Sequence, residues 1–195
     1  MPFVSTLMGV GALSVNHPLH LGMVGMHGTF AANKAVYRAD LLVCLGVRFS
    51  DRIAGKVESF SPKSCKIQVD IDPAELNKRI KVDCPVMSDI KTFLNTLTKH
   101  DLPVVSACWQ KETSSWIKND LPFQREKHYF MTPQAIITRL SACAAEDVIV
   151  ATDVGQHQMW TAHYYPFKRP RQFLTSGGFG TMGYGLPAAA FLSHS

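Results

Sequence analysis

The chain has 195 residues, of which 46% are hydrophobic and 18% are charged, a composition that excludes a disordered chain and supports one large core or two small ones. The net charge of +5 comes from dispersed basic residues without a nucleic-acid reader motif, so we expect no nucleic-acid partner. No apolar stretch approaches the roughly 18 residues that span a bilayer, so we expect no membrane association. Five cysteines without a Cys-x-x-Cys pair predict reduced core residues in a cytoplasmic protein.

Strand-like and helix-like segments alternate through the first hundred residues. Apolar runs at 40–46 and 66–71 have the continuous character of strands buried in a parallel sheet. The spacing of apolar residues predicts helices over 30–39, 74–78 and 90–98. This alternation predicts an open, Rossmann-like parallel α/β sheet.

Charged residues follow the strands of this predicted sheet, at the edge where open α/β sheets bind ligands. Arg48 follows the first strand, Asp70 ends the second, and Asp89 follows a third strand-like piece. An arginine there can hold a diphosphate, and an aspartate can accept hydrogen bonds from ribose or ribityl hydroxyls. The alternative is structural: Arg48 pairs with Asp51 at the surface, and Asp72 caps the following helix.

The composition changes after residue 100. We interpret 101–130, which carries prolines, mixed charges and two tryptophans, as a connection that contains a helix-like piece from 107 to 118. Thr132 precedes a proline and predicts the start of another helix. The strand-like run 148–153 then reaches a glycine turn at Gly155, which indicates a second strand-turn-helix unit.

The most distinctive segment is a run of five glycines between Gly177 and Gly185. A short apolar strand precedes it and an apolar helix over 186–192 follows it, so backbone N–H groups are expected to face a ligand above the turn. Gly178-Phe-Gly-Thr-Met-Gly183 matches G-x-G-x-x-G. By itself, this match leaves a nicotinamide-dependent dehydrogenase as one hypothesis.

Five segments, taken in order, resemble the large catalytic subunit of the acetolactate synthase family, whose members use thiamine diphosphate. They are Leu21–Thr29, Gly46–Arg52, Asp70–Glu75, Gly155–Trp160 and Ser176–Ala188. The resemblance covers essentially the whole chain. It implies that residues 1–100 are the C-terminal part of a central FAD-binding domain, 101–130 a linker, and 131–195 the N-terminal part of the thiamine-diphosphate-binding α/β domain.

The resemblance also implies how thiamine diphosphate is bound. The turn formed by Gly155, Gln156 and His157 would contact the phosphates. The backbone of Gly180 and Met182 would bind the aminopyrimidine, and the Met182 side chain would support the cofactor in its bent shape.

FAD, structural rather than redox-active in this family, would be bound by residues of the first hundred. Met26 and Arg52 match positions near the substrate channel of the family. Arg52 would bind the carboxylate of the second 2-oxo acid. The implied FAD contacts are His27, Gly28, Gly46, Arg48, Asp51, Asp70, Ile71 and Asp89.

By resemblance, the intact enzyme decarboxylates pyruvate and transfers the hydroxyethyl group to pyruvate or 2-oxobutyrate, in branched-chain amino acid biosynthesis. It would form a homodimer or tetramer. The resemblance leaves open whether a regulatory small subunit binds to it. An activating glutamate and a Mg²⁺ motif would lie outside these 195 residues, so we expect no metal ligand among them and no activity from them alone. The alternatives are another FAD-containing thiamine-diphosphate enzyme, such as pyruvate oxidase or glyoxylate carboligase, or a nucleotide-binding module without catalysis.

Overall fold

The structure, a computed structural model, describes residues 1–101, 106–119 and 131–192. The strands in these residues are β1 (Phe3–Ser5), β2 (His20–Met23), β3 (Leu41–Leu45), β4 (Cys65–Asp70), β5 (Cys84–Met87), β6 (Val150–Thr152) and β7 (Phe173–Thr175). The α-helices are α1 (Phe30–Arg38), α2 (Asp51–Ala54), α3 (Ile90–Leu97), α4 (Ala107–Asn119), α5 (Pro133–Cys143), α6 (Gln156–Tyr164) and α7 (Gly185–Leu192). Every strand pair among them is parallel, which confirms the predicted α/β class.

The described residues form two compact units. The first comprises Met1 and residues 24–119, and the second comprises residues 2–23 together with the described residues from 131 on. The division predicted from the resemblance, at residues 100 and 130, concerns family domains rather than contacts within this chain, and it stays a prediction. No helix among the described residues is long and apolar enough to cross a membrane.

A three-stranded parallel sheet forms the centre of the first unit, with β4 between β3 and β5. Its core contains Cys44, Phe49, Ala54 and Ile80, all buried. β4, in the middle, is buried over most of its length, as a central parallel strand is expected to be, whereas β3 is only partly buried and Leu41 is exposed. Helix α1 precedes β3 and begins at Phe30; the side chain of Thr29, just before it, accepts a hydrogen bond from the Ala32 N–H and so caps it.

Helix α4 packs against α1 within this unit. Trp116 is buried, and the Lys34 Nζ lies 4.6 Å from the centroid of its ring, a cation–π contact. Arg38 and Glu112 add an ion pair. The helix-like piece predicted in the connection is therefore a helix of 13 residues.

The helix predicted over 74–78 is wrong, because the backbone forms turns from Pro73 to Asn77. The carboxylate of Asp72 accepts a hydrogen bond from the Ala74 N–H at 2.9 Å, an interaction that competes with helix formation. Asn77 is left-handed, with a φ of 58°, a conformation that does not continue a right-handed helix.

The prediction that the cysteines are core residues holds for one of five. Cys44 is buried, and burial raises the pKa of its thiol to about 12. The other four are exposed and free. Two of them, Cys65 and Cys84, are the first residues of β4 and β5, where each strand only begins to enter the sheet.

The second unit pairs β1 with β2 and β6 with β7. Its core contains Val10, Met23, Ala162 and Phe167. The Val15 N–H donates to the Phe167 carbonyl at 3.1 Å, so the first 23 residues and the C-terminal residues share one core. Helix α5 begins at Pro133, and the Thr132 side chain caps it, as predicted.

Candidate functional site

The carboxyl ends of β3, β4 and β5 bring several residues predicted for FAD to one edge of the first sheet. Asp70 lies opposite Met87 in the register of β4 and β5, so the residues that follow these strands are neighbours. Arg48 is exposed beyond β3, Ile71 is 72% exposed directly after β4, and Asp89 is exposed after β5. This edge presents one cation, carboxylates and an apolar side chain.

The remaining residues predicted for FAD lie in the same unit, three of them in loops and Asp51 at the start of α2. His27 is exposed just before α1, and the Gly28 N–H donates to the Gly25 carbonyl at 2.9 Å. Gly46 turns the chain out of β3 with a φ of 63°, and its N–H donates to the Val69 carbonyl at 2.8 Å. A positive φ at this turn favours glycine.

Two aspartates at the sheet edge already hold the backbone. Asp70 is buried and accepts a hydrogen bond from the Asp72 N–H at 3.0 Å. Asp89 caps α3 by accepting from the Thr92 N–H at 3.1 Å. One carboxylate oxygen of each residue is thus a structural acceptor.

The structural alternative for this edge is partly supported. Asp51 pairs with Arg52 at 3.2 Å rather than with Arg48, whose side chain is exposed. Asp72 does accept from the Ala74 N–H, although the segment that it caps is a turn.

Gln68, which sequence reasoning missed, joins the loops that follow β3 and β4. Its side chain is fully buried. The Nε2 donates to the carbonyls of Val47 at 3.2 Å and Glu75 at 3.1 Å, and the Oε1 accepts from the Asn77 N–H at 3.2 Å. A buried amide with its hydrogen bonds satisfied fixes local geometry. The available signal was an amide between the apolar residues Ile67 and Val69 of the strand.

Backbone contacts bring together Met26 and Arg52, the two residues predicted to lie near a substrate channel. The Met26 N–H donates to the Arg52 carbonyl at 2.7 Å. Gly25, at a φ of 114°, lies against the same carbonyl, where no side chain fits. Asn33 of α1 holds Gly25 with two hydrogen bonds of 2.9 Å. Sequence reasoning missed Asn33, and both Met26 and Arg52 have exposed side chains.

In the second unit, a glycine turn follows β6 and leads into α6. No side chain caps this helix at Gly155, and Gln156 and His157 are exposed in its first turn. Backbone N–H groups at such a helix start favour an anion. Gln158 is buried and donates to the Thr175 hydroxyl of β7 at 2.6 Å, which fixes the helix start against the sheet.

The glycine run closes on itself between β7 and α7. The Gly180 N–H donates to the Ser176 carbonyl at 3.0 Å. Gly180 and Gly183 have φ values of 66° and 82°, and a Cβ at Gly183 would meet nothing within 4 Å. Phe179 is 100% and Met182 81% exposed. The run therefore presents open backbone and apolar side chains to solvent.

Asp153, a residue that sequence reasoning missed, connects the two glycine turns. Its Oδ1 accepts from the Val154 N–H at 2.8 Å, and its two oxygens accept from the Gly183 N–H at 2.9 and 2.8 Å. The N–H groups of Val154 and Gly183 lower the pKa of the Asp153 carboxyl. The signal in the sequence was an aspartate between a strand and a glycine turn.

No three His, Cys, Asp or Glu side chains gather into a metal site within residues 1–101, 106–119 and 131–192.

Two family models match the chain. Residues 1–97 match "Thiamine pyrophosphate enzyme, central domain", and residues 153–191 match "Thiamine pyrophosphate enzyme, C-terminal TPP binding domain". The second match contains both glycine turns. The chain belongs to the thiamine pyrophosphate enzymes.

Within that family, the chain is similar to acetolactate synthase large subunits, as predicted. It is 42% identical over 196 residues to the large subunit of Lactococcus lactis subsp. lactis and 44% identical over 201 residues to the isozyme 1 large subunit of Escherichia coli. It is 42% identical over 201 residues to acetolactate synthase 1, chloroplastic, of Oryza sativa subsp. japonica. These alignments cover 97% of this chain and 33%, 34% and 30% of the relatives, so the chain spans about a third of their length.

Proposed function

We propose that this chain is part of an acetolactate synthase large subunit, in which the first unit contacts FAD and the second unit binds thiamine diphosphate. The observation that carries the proposal is the pair of glycine turns joined by Asp153 at the carboxyl end of β6. Both turns lie within the match to the C-terminal TPP binding domain. The identity to acetolactate synthases over 97% of the chain supports this enzyme over pyruvate oxidase or glyoxylate carboligase.

The second unit has groups that suit thiamine diphosphate. The uncapped start of α6 offers N–H groups to a diphosphate, with Gln156 and His157 beside them. The open backbone at Gly180 and the exposed Met182 side chain offer polar and apolar contacts to an aminopyrimidine. The chemistry that the cofactor supplies when bound is decarboxylation of a 2-oxo acid and transfer of the remaining carbons. The residues of this chain bind and orient it.

The first unit has groups that suit FAD and an anionic substrate. Arg48 offers an exposed cation to the diphosphate of FAD. Asp70 and Asp89, at the ends of neighbouring strands, would accept hydrogen bonds from its hydroxyls. Arg52 would orient the carboxylate of the second 2-oxo acid, with Met26 held beside it by the 2.7 Å backbone hydrogen bond.

For the full-length enzyme we propose the cofactors and partners that the resemblance implies. These are FAD, Mg²⁺, the substrates pyruvate and 2-oxobutyrate, a homodimer or tetramer, and a regulatory small subunit. The four exposed free thiols support a reducing compartment such as the cytoplasm.

A chimera tests the proposal directly. This chain replaces the aligned segment of the Lactococcus lactis large subunit, and acetolactate formation from pyruvate is measured with thiamine diphosphate, Mg²⁺ and FAD. We expect activity within about tenfold of a control chimera that carries the matching Escherichia coli segment, since this chain is 42% identical to the segment that it replaces and tenfold corresponds to about 1.4 kcal/mol in the barrier.

The contrary outcome is a chimera that folds and assembles like the control yet forms no acetolactate. Binding of thiamine diphosphate without turnover would then limit the proposal to the cofactor.

A further inference from the structure

We propose that Asp153 is a positioning residue whose carboxylate clamps the glycine run onto the end of β6 and sets the distance between the two glycine turns. The identity of the ligand, thiamine diphosphate, rests on the proposed function. The clamp itself is a property of the protein without ligand.

The hydrogen bonds of Asp153 span 30 residues of sequence. Gly183 donates its N–H to both carboxylate oxygens, at 2.9 and 2.8 Å, while the adjacent Val154 donates to Oδ1 at 2.8 Å. Hydrogen bonds from N–H groups to a carboxylate are about twice as strong as those between neutral groups. The carboxylate therefore holds the backbone on both sides of the gap between the turns.

A steric contact supports the same arrangement. Gly185, the first residue of α7, packs so closely on the end of β6 that a Cβ there would lie 2.7 Å from the Asp153 nitrogen and 3.0 Å from the Thr152 carbonyl carbon. Gly183 reaches the carboxylate with a φ of 82°, which favours glycine. One polar and one steric contact thus fix the end of the glycine run against the same two residues of the strand.

The partners of Asp153 identify its role. Among the described residues its hydrogen-bond partners are backbone N–H groups, and the ion pairs of those residues do not include it. The nearby His157 belongs to the turn proposed for the diphosphate. The carboxylate oxygens accept hydrogen bonds from the protein backbone. Asp153 therefore affects the ligand indirectly, by fixing the position of the two turns.

The clamp predicts that the run becomes mobile when the carboxylate is lost. In Asp153→Asn, the side chain keeps its size and one acceptor oxygen, but its NH₂ group faces a backbone N–H and cannot accept. The experiment measures amide hydrogen exchange at Gly183 in the 195-residue chain. The control is Asp147→Asn, an equal charge change at an exposed residue of the same unit.

We expect Gly183 to exchange at least about tenfold faster in D153N than in wild type, equivalent to about 1.4 kcal/mol of local opening, and at the wild-type rate in D147N. Protection of the Val150 N–H, which donates to the Gln172 carbonyl at 2.7 Å, reports whether the unit is still folded. If D153N unfolds the unit, Asp153→Glu provides the readout, because it retains the carboxylate and should restore at least part of the protection. Unchanged exchange at Gly183 in folded D153N overturns the clamp.

Adding thiamine diphosphate to the same samples separates the clamp from the proposed function. We expect the ligand to protect the Gly180 and Met182 amides from exchange in wild type and D147N. The same protection in D153N should require about tenfold more ligand. Equal affinities in D153N and wild type overturn the positioning role even if exchange is faster. If wild type shows no response to the ligand, the proposed function fails for this chain, and the exchange rates without ligand still decide the clamp.

Discussion

At the scale of single residues, glycines and small polar side chains determine the geometry of both candidate sites. Gly25 brings Met26 to the Arg52 carbonyl, and Gly185 brings α7 to the end of β6. Neither contact leaves room for a Cβ. Because glycine has no Cβ, the backbone can approach closely at both positions. The neighbouring backbone cannot move aside as a flexible side chain would.

The contrast between Gly185 and Gly178 makes this testable. We expect Gly185→Ala to lower the free energy of unfolding by about 1–3 kcal/mol, because its Cβ would meet backbone atoms of Thr152 and Asp153. Gly178→Ala should stay within about 0.5 kcal/mol of wild type, since nothing lies within 4 Å of its Cβ. Urea denaturation of the two variants measures the difference. Equal midpoints would show that α7 adapts to the added methyl group.

At the scale of elements, helix starts were the most predictable features. Asp89 and Thr132, which the sequence predicts as caps, accept the capping hydrogen bond at the start of α3 and α5. A cap is a local interaction, so the sequence around it is enough to predict it. Asp89 combines this structural role with the role in FAD binding that the resemblance implies.

Two substitutions separate the roles of Asp89. Asp89→Ala should cost about 1 kcal/mol of stability by removing the cap, whereas Asp89→Ser keeps a capping oxygen and should be nearly neutral. If Asp89 also contacts FAD, both variants of the full-length chimera will bind FAD more weakly. Thermal denaturation and flavin titration measure the two effects. Normal FAD affinity in both variants would leave Asp89 with the structural role alone.

The β1–β2 pair should respond to pH through His20. Burial lowers the pKa of His20, against the raising effect of the Val15 carbonyl, and His17 lowers it further. The unfolded chain therefore takes up this proton first, so the contribution of His20 is complete above the ordinary histidine pKa of about 6.5 and is lost as pH falls through the folded pKa.

We expect wild type to lose more stability than His20→Gln when the pH is lowered from about 7.5 to about 5.5, a range that brackets the ordinary histidine pKa. The exposed His100→Gln serves as the control and should follow wild type. Denaturant midpoints at both pH values measure the change. Parallel losses in all three proteins would mean that His20 titrates normally.

At the scale of the whole molecule, the determinants proposed for the two cofactors belong to different compact units. Arg48 lies in the first unit and Met182 in the second. In the chimera, Arg48→Ala should weaken FAD binding by about tenfold or more, because a charge-assisted hydrogen bond contributes about 1.5–3 kcal/mol, and should leave the affinity for thiamine diphosphate unchanged. Met182→Ala should do the reverse, since burial of such a side chain contributes about 1.5–3 kcal/mol.

Titrations of both cofactors against both variants measure these four affinities, and each variant is the control for the other. A loss of both affinities in either variant would contradict separate sites.

Sequence alone predicted the α/β class, the capped helices and the two glycine turns, because periodicity, caps and turn residues are local properties. The ordered motifs also predicted the family. Interpretation failed where a distant partner overrides local preference. The turns after Asp72 replace a predicted helix, with Asn77 bound by Gln68 from β4, and four cysteines are exposed rather than buried.

Only the tertiary structure identified the residues that join these local pieces. Gln68, Asn33 and Asp153 each hydrogen-bond to backbone that is between seven and 30 residues away, and nothing in the neighbouring sequence specifies which N–H or carbonyl they will meet. The sequence determined that two glycine turns would follow parallel strands. Their position relative to each other depends on the Asp153 carboxylate. The close packing of α7 on β6 at Gly185 places the Gly183 N–H against that carboxylate.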